Sequence, residues 1–186
     1  SRRDNLSVLP VRAFSQLDRL ANIDNNKINQ LLSKIRPNYE IMITDLSRGL
    51  EAISLPIIEV SEQVLVVVQQ NIVSIREAKA LVEQLTKNMG FQASNIHLVI
   101  NRYSEKFSSI TPEDVQKTIG INSVFTISND YQLASACTDL GKSISELTDF
   151  KQLEKEFLKK IKSTVNIELN IQQEAPSLWS KITGKS

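Results

Sequence analysis

Hydrophobic and polar positions along this chain of 186 residues follow two patterns. In the first pattern, short runs of consecutive apolar residues, rich in Ile and Val, are typical of strands that are buried on both faces of a parallel sheet. The strands predicted in this way cover residues 6–9, 39–45, 64–68, 96–100 and 124–127.

In the second pattern, apolar residues recur at helical spacing between the runs. Asp24, Ser74 and Thr111 are each placed to cap the amino-terminal end of a helix. Gly90 and Gly120 are placed to end two of these helices. Strands that alternate with helices require right-handed βαβ connections, so the sequence predicts an α/β fold, a parallel sheet with helices on both faces. The predicted helices cover residues 14–20, 28–35, 50–60, 75–85, 112–119, 131–137 and 146–162, and Pro56 interrupts the third of them.

Composition excludes several classes of function. Lys and Arg number 22 and Asp and Glu number 21, so the net charge gives no argument for nucleic-acid binding. The single Cys137 excludes an internal disulfide, and the single His97 excludes a histidine cluster. His97 lies between apolar neighbours, and we expect it to be a structural histidine. No apolar run approaches the roughly 20 residues that a membrane-spanning helix requires.

The strand predicted at 39–45 contains the apolar run at 41–43 and ends in a carboxylate, Asp45, and a loop with Ser47, Arg48 and Gly49 follows it. Open α/β sheets bind their ligands at the carboxyl ends of their strands. A carboxylate at that position suits Mg²⁺ or a water that Mg²⁺ holds, because this hard cation takes oxygen ligands. The alternative is that Asp45 only begins a turn or caps the next helix.

Five stretches of the chain agree in order and spacing with one known family. With them, the chain resembles the ParA/MinD superfamily of deviant Walker ATPases, which have a P-loop NTPase fold. Within it the chain is similar to the CpaE/TadZ branch, which is associated with Flp (Tad) pilus assembly. The resemblance covers roughly residues 6–146. The stretches are VLP at 8–10, the strand that ends in Asp45 with the LSRGL that follows, residues 61–85, NIHLVINRY at 95–103, and residues 120–130 with 134–144.

The resemblance implies a role for Asp45 and the loop after it. Asp45 matches the Walker B acid of the family, which organises Mg²⁺ through its water. Ser47, Arg48 and Gly49 occupy the switch loop that responds to the γ-phosphate. Members similar to MinD usually have a proline pair in that loop, where this chain has Ser47 and Arg48.

The resemblance also implies a nucleotide-binding role for residues at two later strand ends. Asn101, with Arg102 beside it, matches the asparagine that recognises adenine. Ser128 and Asn129 match the loop that flanks the base, where the family often has a proline in place of Ser128.

The Gly-rich phosphate loop of the family, its deviant Walker A motif, has no counterpart in this sequence, and neither has its first strand. The triplets GKS at 141–143 and 184–186 have Ala136 and Trp179 where the motif requires a glycine. The strand predicted at 6–9 lies so near the start that we expect further residues to precede Ser1. We therefore expect ATP and Mg²⁺ as cofactors of the complete protein, and neither as a cofactor of this chain alone.

The function implied by the resemblance is a nucleotide switch that positions or assembles the Flp/Tad pilus machinery at the cell pole. The implied partners are a second copy of the protein and pilus or secretion components at the inner membrane, with no DNA. The implied location is the cytoplasm, at the periphery of that membrane. The alternative is a non-catalytic localisation scaffold with the same fold. A receiver domain is excluded, because no lysine closes the strand at 124–127 and no acidic pair follows a first strand.

Two segments are expected in the domain organisation. Residues 1–165 are predicted to form the C-terminal part of a ParA/MinD-like ATPase domain, and residues 166–186 a tail. The tail combines Trp179 with Leu178, Ile182 and two lysines. This composition suits docking on a partner or a membrane surface.

Overall fold

The computed structural model describes residues 2–3, 6–10, 24–47, 49–106 and 108–141. The chain divides into two compact units, Ser1–Val64 and Leu65–Ser186. The helices predicted at 14–20 and 146–162 and the tail predicted at 166–186 lie outside the described residues.

The first unit contains α1, which spans Asn25–Ile35 and begins at the predicted cap. The side chain of Asp24 accepts a hydrogen bond from the backbone N–H of Asn26 at 2.9 Å, which satisfies one of the amides left unpaired at a helix start. Ile28 is the buried position of this helix. The helix ends at Ile35, where the sequence predicts its end, and a 3₁₀ turn over Arg36–Asn38 follows it.

The helix predicted at 50–60 is shorter than expected. In the structure, α2 spans Leu55–Glu59, with Pro56 in its first turn. Proline has no amide hydrogen and clashes with the preceding turn, so it is accommodated at a helix start and not in a helix interior. The helix therefore begins next to the proline that was expected to interrupt it.

The strand predicted at 39–45 is not formed. Residues 39–47 are irregular and have no ladder of strand hydrogen bonds. Two of the apolar side chains are exposed, Ile41 by 41% and Ile43 by 87%. β-branched residues favour strands chiefly through packing and pairing with neighbours, so the apolar run by itself does not form one.

The strand predicted at 6–9 forms only in part and in another sheet. β1 (Arg2–Arg3) pairs with β2 (Leu6–Ser7) in an antiparallel ladder, with Arg3 opposite Leu6. The prediction that this segment joins the parallel sheet is therefore wrong. Two residues separate the strands in sequence, and a connection that short joins only antiparallel neighbours.

The second unit contains the parallel sheet that the sequence predicts. Its strands are β3 (Val64–Gln69), β4 (Ile96–Tyr103) and β5 (Val124–Ser128), in the order β3-β4-β5. Residues 96–100 of the central strand are all buried, which explains why that run is apolar throughout. The α/β class and three of the predicted strands are confirmed.

Helix α3 (Ile72–Lys87) follows β3, but its cap differs from the prediction. The cap is Asn71, whose side chain accepts from the backbone N–H of Ser74 at 2.8 Å. Ser74 lies inside the first turn, and its hydroxyl accepts from the backbone N–H of Gln69 at 3.0 Å. Asparagine and serine are both good caps, so the choice between them depends on where the preceding strand ends. The buried positions of α3 are Ile75, Ala78, Val82 and Leu85.

Two further helices complete the second unit. Helix α4 (Pro112–Ile119) begins with the predicted cap Thr111 and ends at Gly120, which has a left-handed φ of 83°. Helix α5 (Tyr131–Leu140) begins at Asp130, whose side chain accepts from the backbone N–H of Leu133 at 2.9 Å. Among the described residues, no helix combines the length and the apolar character that crossing a membrane requires.

Candidate functional site

The predicted nucleotide-binding residues of the second unit lie at the carboxyl ends of two neighbouring strands. Asn101 and Arg102 are in the last residues of β4, and Ser128 ends β5. Tyr103 stands opposite Ser128, and the backbone N–H of Asn129 donates to the Tyr103 carbonyl at 2.9 Å. The structure therefore brings the four predicted residues to one edge of the sheet, where α/β folds bind ligands.

A β-bulge shapes this edge. Ile100 is opposite Thr126 and Tyr103 is opposite Ser128, so three steps along β4 correspond to two steps along β5. The extra residue of the bulge lies in β4, between Ile100 and Tyr103, and Arg102 in this segment has a left-handed φ of 55°. For a residue with a Cβ atom, that conformation is roughly 1–2 kcal/mol less favourable than the right-handed one.

The side chain of Asn101 stabilises this turn. Its Oδ1 atom accepts a hydrogen bond from the backbone N–H of Arg102 at 2.9 Å. The amide nitrogen of Asn101 carries two hydrogens that can be donated to a ligand. Asn101 is half-buried, whereas Arg102, Ser128 and Asn129 are exposed.

These four side chains can form hydrogen bonds with a polar ligand. Amide, hydroxyl and guanidinium groups donate and accept hydrogen bonds, and they suit the polar edge of a planar heterocycle or an anionic oxygen. None of the four is a nucleophile beside a general base, which acyl or phosphoryl transfer through a covalent intermediate would require. The edge formed by Asn101, Arg102, Ser128 and Asn129 is called the base edge below.

The other predicted site residues lie in the first unit. Asp45 and Ser47 are exposed in the irregular stretch at 39–47. Gly49 has a left-handed φ of 84°, which glycine adopts without strain. Arg48 lies outside the described residues. Because no strand forms at 39–45, the prediction that Asp45 occupies a strand end is wrong.

The metal-binding role of Asp45 stays a prediction. In the described part of the chain, no group of three or more His, Cys, Asp or Glu side chains is placed to hold a metal ion. Mg²⁺ nevertheless keeps several waters and is often bound by one or two carboxylates together with phosphate oxygens. An exposed single carboxylate therefore fits an ion that arrives with a nucleotide, and does not fit an ion held by protein ligands alone.

The environment of His97 confirms its structural role. Its side chain is 1% exposed, and Nδ1 lies 2.7 Å from the hydroxyl oxygen of Ser123. The ring also packs near Phe125, with centroids 6.1 Å apart. Burial lowers the pKa of His97, because removal from water disfavours the charged imidazolium.

Gln70 is a functional candidate that sequence reasoning missed. It follows β3 directly, and its side-chain oxygen accepts from the backbone N–H of Ser104 at 2.7 Å. Its side-chain nitrogen donates to the carbonyl of Ile110 at 2.9 Å. These partners are 34 and 40 residues away in sequence, and the only local signal is a pair of glutamines at a strand end.

An apolar groove of about 440 Å³ lies between the amino-terminal parts of α3 and α4. Arg76 and Asp114 are its charged residues, and no residue of the base edge lines it. The groove is therefore a feature separate from the predicted site. Its other lining residues are Ile72, Ile75, Ser109, Ile110 and Thr118.

The fold of this chain is similar to the folds of solved proteins. The structure matches a ParA family ATPase from Chlorobium tepidum TLS with a TM-score of 0.66 and 22% identity, over 76% of this chain and 57% of that one. It matches MinD in the MinC:MinD cell division complex of Aquifex aeolicus with a TM-score of 0.65 and 19% identity, over 81% of this chain and 63% of that one. The chain therefore has the fold of ParA/MinD-like ATPases.

The sequence is similar to one curated protein of the same class. It is 27% identical over 137 residues to the septum site-determining protein MinD of Thermotoga maritima, across 70% of this chain and 49% of the relative. The chain thus spans about half the length of that relative. No family model matches the sequence.

Proposed function

We propose that the complete protein is a nucleotide switch of the ParA/MinD kind, and that this chain carries its base-recognition edge and its magnesium-organising acid. The observation that carries the proposal is that Asn101, near the end of β4, and Asn129, directly after β5, lie at the ends of paired strands. An amide group held there offers donors and an acceptor to the edge of adenine. The fold supports the same reading, since solved ParA and MinD proteins share it.

The base edge fits the base of ATP, and Asp45 is proposed separately as the residue for its magnesium ion. Asn101, Ser128 and Asn129 would hold the base, and Asp45 would hold Mg²⁺ through a water molecule. The magnesium ion, when bound, supplies charge neutralisation for the phosphates. No Gly-rich loop in these 186 residues offers backbone amides to the phosphates, so tight ATP binding requires the rest of the protein.

The biological role that we propose is the positioning or assembly of a Flp/Tad pilus, through the CpaE/TadZ-like stretches of the sequence. In this proposal, two copies dimerise in response to ATP at the periphery of the inner membrane. A partner then recognises the dimer. The similarity to a MinD that was solved with MinC supports a protein partner, and the near-neutral charge disfavours DNA.

One sequence observation favours a second candidate, a localisation scaffold without chemistry. Ser47 and Arg48 replace the proline pair that is usual in the switch loop. A loop with altered residues can keep the fold and the partner surfaces while it no longer responds to the γ-phosphate. The two candidates differ in whether the complete protein binds ATP.

Calorimetric titration of ATP with Mg²⁺ separates the two candidates. The titration is made with this chain and with the full-length product of its gene, each also as Asp45→Ala. Glu40→Ala is the matched control, because it removes another exposed acid from the same irregular stretch. The nucleotide-switch proposal predicts binding by the longer protein that Asp45→Ala weakens and Glu40→Ala does not. Absence of binding by the longer protein contradicts the switch and favours the scaffold.

A further inference from the structure

We propose that Gln70 is a positioning residue for base recognition, an inference that rests on the proposed nucleotide-binding function. Its side-chain amide bonds to Ser104 and Ile110, the first and last residues of the loop at 104–110, of which the structure describes 104–106 and 108–110. The loop begins two residues after Arg102. Gln70 would act through the base edge, by keeping the turn at Asn101 and Arg102 in its bulged conformation.

The two hydrogen bonds of Gln70 fix the orientation of its amide. The oxygen is the atom that accepts from Ser104 N–H at 2.7 Å, and the nitrogen is the atom that donates to the Ile110 carbonyl at 2.9 Å. A flipped amide would place a donor against a donor and an acceptor against an acceptor. One side chain therefore links the first and last residues of the loop.

Gln70 itself projects from a fixed piece of backbone. The N–H of Gln69 donates to the hydroxyl of Ser74 at 3.0 Å, and the N–H of Asn71 donates to the carbonyl of Gln69 at 2.8 Å. Asn71 in turn caps α3. The residues on both sides of Gln70 are thus held by the start of a 16-residue helix, so its side chain is anchored and does not simply follow the loop.

The loop is also constrained on its far side. The N–H of Ile110 donates to the hydroxyl of Ser108 at 3.1 Å, and the next residue, Thr111, caps α4 together with Asp114. The loop consequently ends on a rigid helix start. At its other end, the backbone N–H of Ser104 donates to the side chain of Gln70, the residue that follows β3.

The constraint matters because the turn that precedes the loop is strained. A left-handed residue with a Cβ atom persists only where the surrounding structure holds it. Three connections hold the turn. Within it, Asn101 accepts a hydrogen bond from Arg102. Beside it, Tyr103 pairs with Ser128 of β5, and Ser104 bonds to Gln70, which follows β3. Loss of the third connection gives the turn access to unstrained conformations in which Asn101 no longer faces a base correctly.

The test compares two ligands in the full-length gene product. ATP requires both base and phosphate recognition, whereas tripolyphosphate reports phosphate recognition alone. The variants are Gln70→Ala, Gln70→Glu and the control Gln84→Ala, which removes an exposed glutamine from α3. Gln70→Glu keeps an acceptor for Ser104 N–H, and its carboxylate has no hydrogen for the Ile110 carbonyl. Hydrogen exchange of the Ser104 amide, measured on the same samples, reports the loop.

Gln70→Ala is expected to weaken ATP binding about tenfold, which corresponds to the loss of one well-placed interaction, and to leave tripolyphosphate binding unchanged. It is also expected to accelerate exchange at Ser104. Gln70→Glu should weaken ATP binding by a smaller factor and leave that exchange slow. The control should match the wild-type protein in every measurement.

Equal effects on ATP and tripolyphosphate, or no effect on ATP, would overturn the positioning role while the proposed function stands. If Gln70→Ala does not fold, the comparison of the two ligands with Gln70→Glu decides in the same way. If the wild-type protein binds ATP no more tightly than tripolyphosphate, base recognition is absent. In that case the proposed function and the role of Gln70 both fail.

Discussion

The side-chain oxygen of Asn101 accepts a hydrogen bond from the backbone N–H of the next residue, Arg102, at 2.9 Å. This bond closes the left-handed turn of the bulge at the end of β4. The residue that resembles a base-recognising asparagine therefore also shapes the backbone beside it. Its replacement would alter both the ligand contact and the turn.

The turn makes a prediction about stability. Arg102→Gly should raise the free energy of unfolding by roughly 0.5–1 kcal/mol, since the relief of left-handed strain exceeds the entropy cost of glycine. Arg102→Ala removes the same guanidinium without relieving the strain, so it should leave stability nearly unchanged. Urea unfolding of the three proteins measures the difference. Equal stability of the glycine and alanine variants would contradict strain at this turn.

His97 makes a prediction about pH, because it is the single histidine of the chain. Its pKa is lowered in the folded state by burial, so the folded protein resists its protonation. Stability from this group is complete above its unfolded pKa of about 6.5 and is lost as pH falls through the lower folded pKa. Urea unfolding between pH 7.5 and pH 5 should show this loss.

The variant His97→Gln should flatten that pH dependence, because glutamine does not titrate. It has to be compared at each pH with the wild-type protein rather than with a single reference value. An unchanged slope in the variant would mean that other groups cause the loss of stability between pH 7.5 and pH 5.

The capping box of α4 makes a prediction at lower pH. Backbone and side-chain hydrogen bonds from Thr111 lower the pKa of Asp114. The stability that this lowered pKa gives to the folded protein is therefore present above the ordinary carboxyl pKa of about 4, and it is lost as pH falls through the pKa of the folded state. At pH 7, Thr111→Ala should cost about 1 kcal/mol as a lost cap, measured by urea unfolding. Thr111→Ser keeps the hydroxyl and should retain most of the stability, and equal losses in both variants would contradict the cap.

The sheet makes a prediction about the core. Leu98 is completely buried in β4, and Leu98→Ala should lower the free energy of unfolding by about 2–5 kcal/mol through lost burial and a cavity. Leu140, at the end of α5, is 62% exposed, so the same substitution there should cost less than about 0.5 kcal/mol. Thermal or urea unfolding checks both variants, and similar losses at the two positions would contradict the assignment of the core.

The sequence predicts the second unit well because its signals are local and agree with one another. The apolar runs at 64–68, 96–100 and 124–127 are strands, and caps such as Thr111 and Gly120 lie where their chemistry requires. The segment at 39–45 also contains an apolar run, at 41–43, and is irregular. Strand formation depends on a neighbour to pair with, and composition does not report whether one is present.

The base edge likewise has some features that the sequence predicts and others that it does not. Asn101 and Asn129 follow apolar runs, so the sequence predicts that they lie at strand ends, and they lie at the ends of β4 and β5. The bulge at Arg102 depends on register between β4 and β5, and the bonds of Gln70 cross 34 and 40 residues. Neither leaves a local pattern, so sequence reasoning missed both.

The role that we propose for the end of β4 is recognition of a nucleotide base. Calorimetric titration of ATP with Mg²⁺ into the full-length gene product, as wild type, Asn101→Ala and Asn122→Ala, tests it most directly. Asn122 is an exposed asparagine between α4 and β5 and serves as the control. Asn101→Ala is expected to weaken ATP binding at least tenfold, through the lost contact and the released turn, and Asn122→Ala is expected to bind ATP as the wild type does. Wild-type affinity in Asn101→Ala would contradict this role.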